Sequence, residues 1–227
     1  MSESRQSSGV LRILAATAAF AVVHSVLASR AAKRAASRLA GERTRGGWYR
    51  VAFNAQAVAT FGALASYGRR LPDRTLYEVR GPLALLMRAG QLAGLVWAAW
   101  TVREVGLARI SGASSARAWV AGEGDVPAEP EAQGPARADG DDARPLRTTG
   151  PFALSRHPLN FSPLPVLWLQ PRMTANLAAF NALATVYLVV GSRHEEARLA
   201  AAYGAEYEAY RRSGVPFFVP TAVGLRA

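Results

Sequence analysis

The sequence predicts an all-α polytopic transmembrane helical bundle of about five spans, with a C-terminal helical hairpin and an amphipathic tail helix. Three observations predict it. Apolar runs of near-membrane length recur along the 227 residues, Arg-rich connections separate them, and Trp97 and Trp100 stand near the end of one run, where tryptophan suits a membrane interface. Half of the residues are hydrophobic, yet mean hydropathy is close to zero because the basic connections dilute the apolar runs.

The first apolar run, residues 13–29, carries no formal charge and is interrupted only by His24. Arg5 and Arg12 precede it, as in a signal peptide. Its length, the basic stretch behind it and the apolar segments that follow argue for a retained span instead. Residues 30–50 hold Lys33, Arg34, Arg38, Arg43 and Arg45 against the single acid Glu42. A second run covers residues 51–68 and ends in the turn-like stretch 69–74. A third covers residues 82–102.

Residues 112–147 read as a flexible polar loop, since Gly, Pro, Glu and Asp dominate its second half and little apolar surface is available to order it. Beyond it, residues 159–171 are apolar but short, and Pro163 and Pro165 interrupt them. Such a segment needs tilting, extension or burial against protein. Residues 173–192 form the cleanest spanning candidate, and with the preceding segment they read as a hairpin. Three regions result: 1–111, the N-terminal membrane helices; 112–147, the loop; and 148–227, the chemically dense part.

Orientation follows from the positive-inside rule. With residues 30–50 in the cytoplasm, five crossings leave the N-terminus and residues 69–80 outside, and the acidic loop, residues 148–158 and the C-terminal tail inside. The formal charge of +11 also invites a nucleic-acid reading. The arginines, however, lie between apolar segments, and one Lys against 26 Arg in an Ala-rich chain points to base-composition bias. Nucleic acid is not the expected partner. The chain has no cysteine, which excludes disulfides, thiolate metal sites and cysteine nucleophiles. With only His24, His157 and His194, no histidine-built metal centre is expected either.

Two segments are dense in chemistry. Gly150, Pro151 and Phe152 lead into Arg156, His157, Pro158, Leu159 and Asn160, where a polar loop enters a membrane segment. As a purely structural element this would be an interfacial anchor, with Arg snorkelling and Pro starting a helix. After the last span come Glu195 and Glu196, with Glu196, Leu199, Tyr203, Tyr207 and Tyr210 on one helical stripe. That stripe alone describes an amphipathic helix lying on the membrane or the bundle. A hairpin returns both segments to the same membrane face, so the two can converge on one polar site at the mouth of a helical bundle.

The ordered set Gly150, Pro151, Phe152, Arg156, His157, Pro158, Leu159, Asn160, an apolar hairpin, then Glu195, Glu196, Leu199, Tyr203, Gly204, Tyr207 and Tyr210 resembles the isoprenylcysteine carboxyl methyltransferase and phospholipid methyltransferase superfamily. The resemblance spans about residues 148–220. His24 and Ser25, with residues 71–77, are similar to the bacterial methanethiol S-methyltransferase-like and NnrU-like branch. The resemblance implies a bacterial inner-membrane methyltransferase with a cytoplasmic C-terminus, using S-adenosylmethionine on a small or lipophilic acceptor such as a thiol, a carboxylate or a lipid. It implies a cofactor pocket capped by the C-terminal segment and built from Arg156, His157, Pro158, Asn160, Glu195 and Glu196. Asn160 departs from the aromatic residue many members carry there: an amide can hydrogen-bond but cannot stack on a purine. Two other readings stay open at this point, a non-catalytic NnrU-like membrane protein and an NADPH-dependent membrane reductase, since sterol-reductase-like proteins share a similar His-Pro motif.

Overall fold

The computed structural model describes residues 3–122 and 146–221. Most of the loop expected over residues 112–147 lies outside the described residues. The described residues are mostly helical. Helix α1 (Glu3–Ala28) contains a 21-residue apolar stretch, Ser8–Ala28, long enough to cross a membrane. Ser29 then caps the short helix α2 (Arg30–Ala40) by accepting a bond from the Ala32 N–H at 3.1 Å. Gly41, at φ +81°, allows the sharp turn into α3 (Glu42–Gly68), a backbone angle that costs other residues energy. Among the described residues, helices α4 (Gly81–Val105) and α9 (Ala175–Tyr203) are the other two long and apolar enough to span. The second apolar run sits in α3 but carries Asn54 and Gln56.

Exposure is inverted relative to a water-soluble protein. Leu83, Leu85, Leu86, Leu92, Leu95 and Val96 of α4 all face outward, while Thr101, Asn176 and Asn181 are buried. Apolar surface on this scale with polar groups inside is what a lipid environment requires.

The proline-broken stretch after the loop shows how irregular backbone is tolerated in such a setting. It is two short helices, α7 (Pro158–Phe161) and α8 (Pro163–Trp168), each opened by a proline. Their carbonyls find partners on neighbouring helices. Trp97 of α4 donates to Pro158 O at 2.9 Å, Gln91 donates to Val166 O at 3.2 Å, and Asn181 of α9 donates to Leu167 O. Non-helical backbone survives at membrane depth only when protein satisfies it in this way. Gly94 permits the close approach, since a Cβ there would come within 3.0 Å of Pro165 and of Ser162 O.

Three features depart from the sequence expectation. Residues 113–120, expected within the loop, are helical: α5 (Leu107–Ser111) leads into α6 (Ala113–Val120), which packs on α3. Trp119 anchors it: Gly47 has no Cβ to obstruct the indole, and Arg43 donates to Trp119 O at 3.0 Å. The connections at residues 69–80 and 170–174 come together, pairing as strands β1 (Thr75–Glu78) and β2 (Arg172–Thr174), antiparallel with Tyr77 opposite Met173. Asp73 braces this end by accepting from the N–H groups of Arg74 and Asn176. Finally, the tail is not one stripe on one helix. Gly204 ends α9, and α10 (Ala205–Arg212) sets off separately, bringing Tyr207 and Tyr210 into a core with Leu146, Leu199 and Val215.

Gly9 tests the packing of α1 against the β1 turn, because a Cβ there would collide with the Pro72 carbonyl. Gly9→Ala is expected to cost about 1–3 kcal/mol by overpacking. Gly62→Ala, whose Cβ meets only open space, should leave stability unchanged or slightly raised. Thermal unfolding in detergent compares the two. Equal midpoints would remove the close approach.

Candidate functional site

The six residues singled out by the sequence come together where α7 begins and α9 ends. A single turn of 3-10 helix, Gly150–Ala153, brings the chain in from the loop, and Phe152 is buried beneath it. Arg156 follows with three contacts. Its backbone N–H donates to Pro216 O at 2.9 Å, its NH1 donates to Val215 O at 2.9 Å, and its Nε pairs with Glu196 Oε1 at 2.7 Å. One side chain thus ties the incoming segment, α9 and the C-terminal segment together.

His157 is almost fully enclosed. Its Nδ1 lies 3.2 Å from Glu195 Oε2, its Nε2 lies 3.6 Å from Glu196 Oε1, and Phe217 packs edge-on against the ring. The second distance is too long for a hydrogen bond, so Nε2 is buried without a partner. Pro158 is buried and starts α7, as expected of a proline at a first helical position. Asn160, one turn on, donates to Ser192 Oγ at 2.9 Å and to Glu195 Oε2 at 3.3 Å. The amide therefore holds a carboxylate across the α7–α9 contact.

Four further residues belong to this neighbourhood that the sequence reading did not single out. Ser155, wholly buried, donates to Phe218 O at 2.8 Å and accepts from the His157 N–H at 3.2 Å. Ser192 lies one turn before Glu195, and Trp97 holds the carbonyl of Pro158. Phe217 also lies under the Arg156 guanidinium at 5.8 Å. Trp97 was legible only as an interfacial tryptophan, and the others act through contacts that the fold creates. The spacing of Ser192 and Glu195, three apart on one helix, was the one readable clue.

Tyrosines line the far side. Tyr210 donates to Phe152 O at 2.6 Å, whereas the Tyr207 hydroxyl is buried without a hydrogen-bond partner. Burial, followed by the charge of Glu196, holds the Tyr207 hydroxyl far above its ordinary value. Burial likewise raises Tyr210, against the opposing pull of Arg156. Both stay protonated at neutral pH.

One guanidinium thus stands against two carboxylates, beside a buried imidazole nitrogen and a buried phenol that lack partners. Such a set can receive a cationic group at the carboxylates and a polar ligand at the two unsatisfied atoms. A cavity of about 290 Å³ lined by Ile13, Phe61, Leu64 and Phe180 lies elsewhere, against the β1–β2 end.

The fold and this site define a helical protein of membrane character with a polar cluster where α7 meets α9. Comparison with known proteins makes this more specific. The chain is 40% identical over 75 residues to methanethiol S-methyltransferase 2 of Bradyrhizobium diazoefficiens, a stretch covering 33% of this chain and 29% of that protein. It is 37% identical over 75 residues to methanethiol S-methyltransferase of Crocosphaera subtropica, with the same coverage. To that of Pseudomonas deceptionensis it is 29% identical over 68 residues, 30% of this chain and 26% of the relative. The likeness thus spans under a third of the length of these relatives, and it relates the chain to a methyltransferase superfamily at that level. No family model matches the chain, and no solved structure matches it.

The tyrosines yield two predictions. Tyr210→Phe should cost about 1–2 kcal/mol, because it strands the buried Phe152 carbonyl. Tyr207→Phe should be neutral or stabilising in the ligand-free protein, because it removes a hydroxyl that has no partner. Chemical denaturation of the two variants measures the difference. The pH dependence has a definite sign. A tyrosine raised in the folded state confers stability that is complete below its unfolded value of about 10 and is lost as pH climbs above it. Alkaline unfolding should therefore set in above about pH 10 and move to higher pH in Tyr207→Phe; an unmoved transition would contradict the buried, protonated phenol.

Proposed function

We propose that this chain is an integral membrane methyltransferase using S-adenosylmethionine, with a thiol as its acceptor. The convergence of Arg156 and His157 with Glu195 and Glu196 carries the reading, and the methanethiol S-methyltransferases to which the chain is similar support it. In this reading region 148–227 holds the cofactor and region 1–111 supplies the membrane scaffold. Five crossings with a cytoplasmic C-terminus complete the topology. The β1–β2 pairing supports that count, since it joins the two turns that five crossings place on the same side.

The chemistry of the donor set fits the cofactor. When bound, S-adenosylmethionine supplies a methyl group already activated on a sulfonium. Glu195 and Glu196 are suited to its ammonium or ribose hydroxyls, and Arg156 to its carboxylate. Asn160 and Ser192 fix the orientation of Glu195, and Pro158 sets the start of α7 so that His157 points into the site. Phe217 and Phe218 cover the pocket from the C-terminal segment and keep water away from it, which favours transfer from a cation whose charge disperses. A thiol ionises readily, so the acceptor does not demand a strong general base from the chain.

Calorimetry on detergent-purified protein tests this. S-adenosylmethionine and S-adenosylhomocysteine should bind, and the double variant Glu195→Gln, Glu196→Gln should bind at least about tenfold more weakly, the loss expected for one or two charge-assisted bonds. With methanethiol present, dimethyl sulfide should accumulate. Binding of NADPH in place of either sulfur compound would replace the methyltransferase with a reductase, and binding of none would leave a non-catalytic membrane protein.

A further inference from the structure

Helix α2 is built the wrong way round for a helix that serves only to join α1 to α3. Its sequence carries Arg30, Lys33, Arg34 and Arg38 and no acid. At 100° per residue these four and Ser37 share one side, while Ala31, Ala32, Ala35, Ala36 and Leu39 share the other. A connecting helix in water would turn its apolar side onto the protein. Here Ser37, on the basic side, accepts a bond from Arg45 Nε of α3 at 3.3 Å, and Leu39, at the centre of the apolar side, is 89% exposed. No residue of α2 is buried. Ala31, Ala35 and Leu39 are exposed, away from the rest of the chain, and only Ala32 and Ala36 of the apolar side are half-buried.

The location of α2 says what covers that side. The apolar stretch of α1 ends at Ala28, two residues before α2 begins, and Tyr49 of α3 donates to Leu27 O at 2.6 Å, which holds the end of α1 against α3. α2 therefore starts at the level where the hydrocarbon gives way to headgroups. Trp48, 41% exposed on the second turn of α3, stands at the same level, as tryptophans at a bilayer surface do.

We propose that α2 lies in the plane of the membrane surface as an anchor for an anionic leaflet. Leu39 and the alanines enter the boundary of the acyl chains, and Arg30, Arg34 and Arg38, all exposed, meet lipid phosphates. A short, Ala-rich apolar side holds weakly by itself, so the basic side decides where the helix seats. A nucleic acid would answer the arginines but leave Leu39 in water, and for that reason the lipid is the better partner.

The chain has no cysteine, so Leu39→Cys places its only thiol on the apolar side, where a nitroxide can be attached. The labelled full-length protein is reconstituted in nanodiscs of phosphatidylcholine, with and without phosphatidylglycerol, and its accessibility to oxygen and to a water-soluble nickel reagent is compared. With phosphatidylglycerol the label should sit below the headgroups, accessible to oxygen and shielded from nickel. In the triple variant Arg30→Gln, Arg34→Gln, Arg38→Gln the seating equilibrium should weaken by about fivefold per charge, and the shielding should fall accordingly. Thermal unfolding of that variant at the parent midpoint shows that the loss is local. Nickel access in phosphatidylglycerol discs equal to that of a free loop would overturn the proposal, as would identical shielding in both lipids. Shielding that appears only on adding duplex RNA or DNA would overturn it in favour of a nucleic-acid partner.

Discussion

Arg156 is the side chain on which this end of the molecule depends. Its guanidinium reaches Glu196 on α9 and Val215 O in the C-terminal segment, and its own N–H reaches Pro216 O. Three stretches of chain far apart in sequence are thereby fixed to one another. Once they are fixed, His157 has only one place to go, beneath Phe217 and between the two carboxylates. Asn160 then falls opposite Ser192 and Glu195, and Tyr207 and Tyr210 close the far side on α10.

This arrangement is not the one that would maximise stability. A partly desolvated ion pair repays little more than its own desolvation, and a second carboxylate without a second cation repays less. Well-packed apolar residues at Glu195 and Tyr207 would hold α7, α9 and α10 together at lower cost. The buried, unpartnered His157 Nε2 and Tyr207 hydroxyl add to that cost. Polar groups kept under these conditions are suited to a ligand that satisfies them, and this places the functional weight on the pocket rather than on the bundle that surrounds it.

The large features were legible in the sequence because one strong period carried them. Long apolar runs become helices where backbone groups have no water to bond with, so α1, α4 and α9 could be read directly. The meeting of residues 156–160 with residues 195 and 196 was legible too, because a hairpin leaves few other places for its ends. What could not be read depends on contacts across the fold. Three- and four-residue strands have too little alternation to announce β1 and β2, and their pairing is decided by where α3 ends and where α4 and α9 begin. The tyrosine stripe ran past Gly204 because helical spacing continues on paper, whereas the backbone turns there at φ +51°. Trp119 made α6 a helix by filling the space over Gly47, a match between residues far apart in sequence.

The rod-like length of α9 separates the pocket from the cavity at the other end. Phe180 lines that cavity and Glu195 lies fifteen residues further along the same helix, roughly 22 Å at the rise of an α-helix. Methyl transfer requires the reacting atoms to be within van der Waals contact, so a molecule held among Ile13, Phe61, Leu64 and Phe180 is out of reach of any methyl group held at Glu195 and Glu196. That cavity is therefore not the acceptor site of the proposed reaction. On the proposed reading the methyl group is held at the end of α9 that carries the carboxylates, so its acceptor would be sought there, near Asn160 and Phe217.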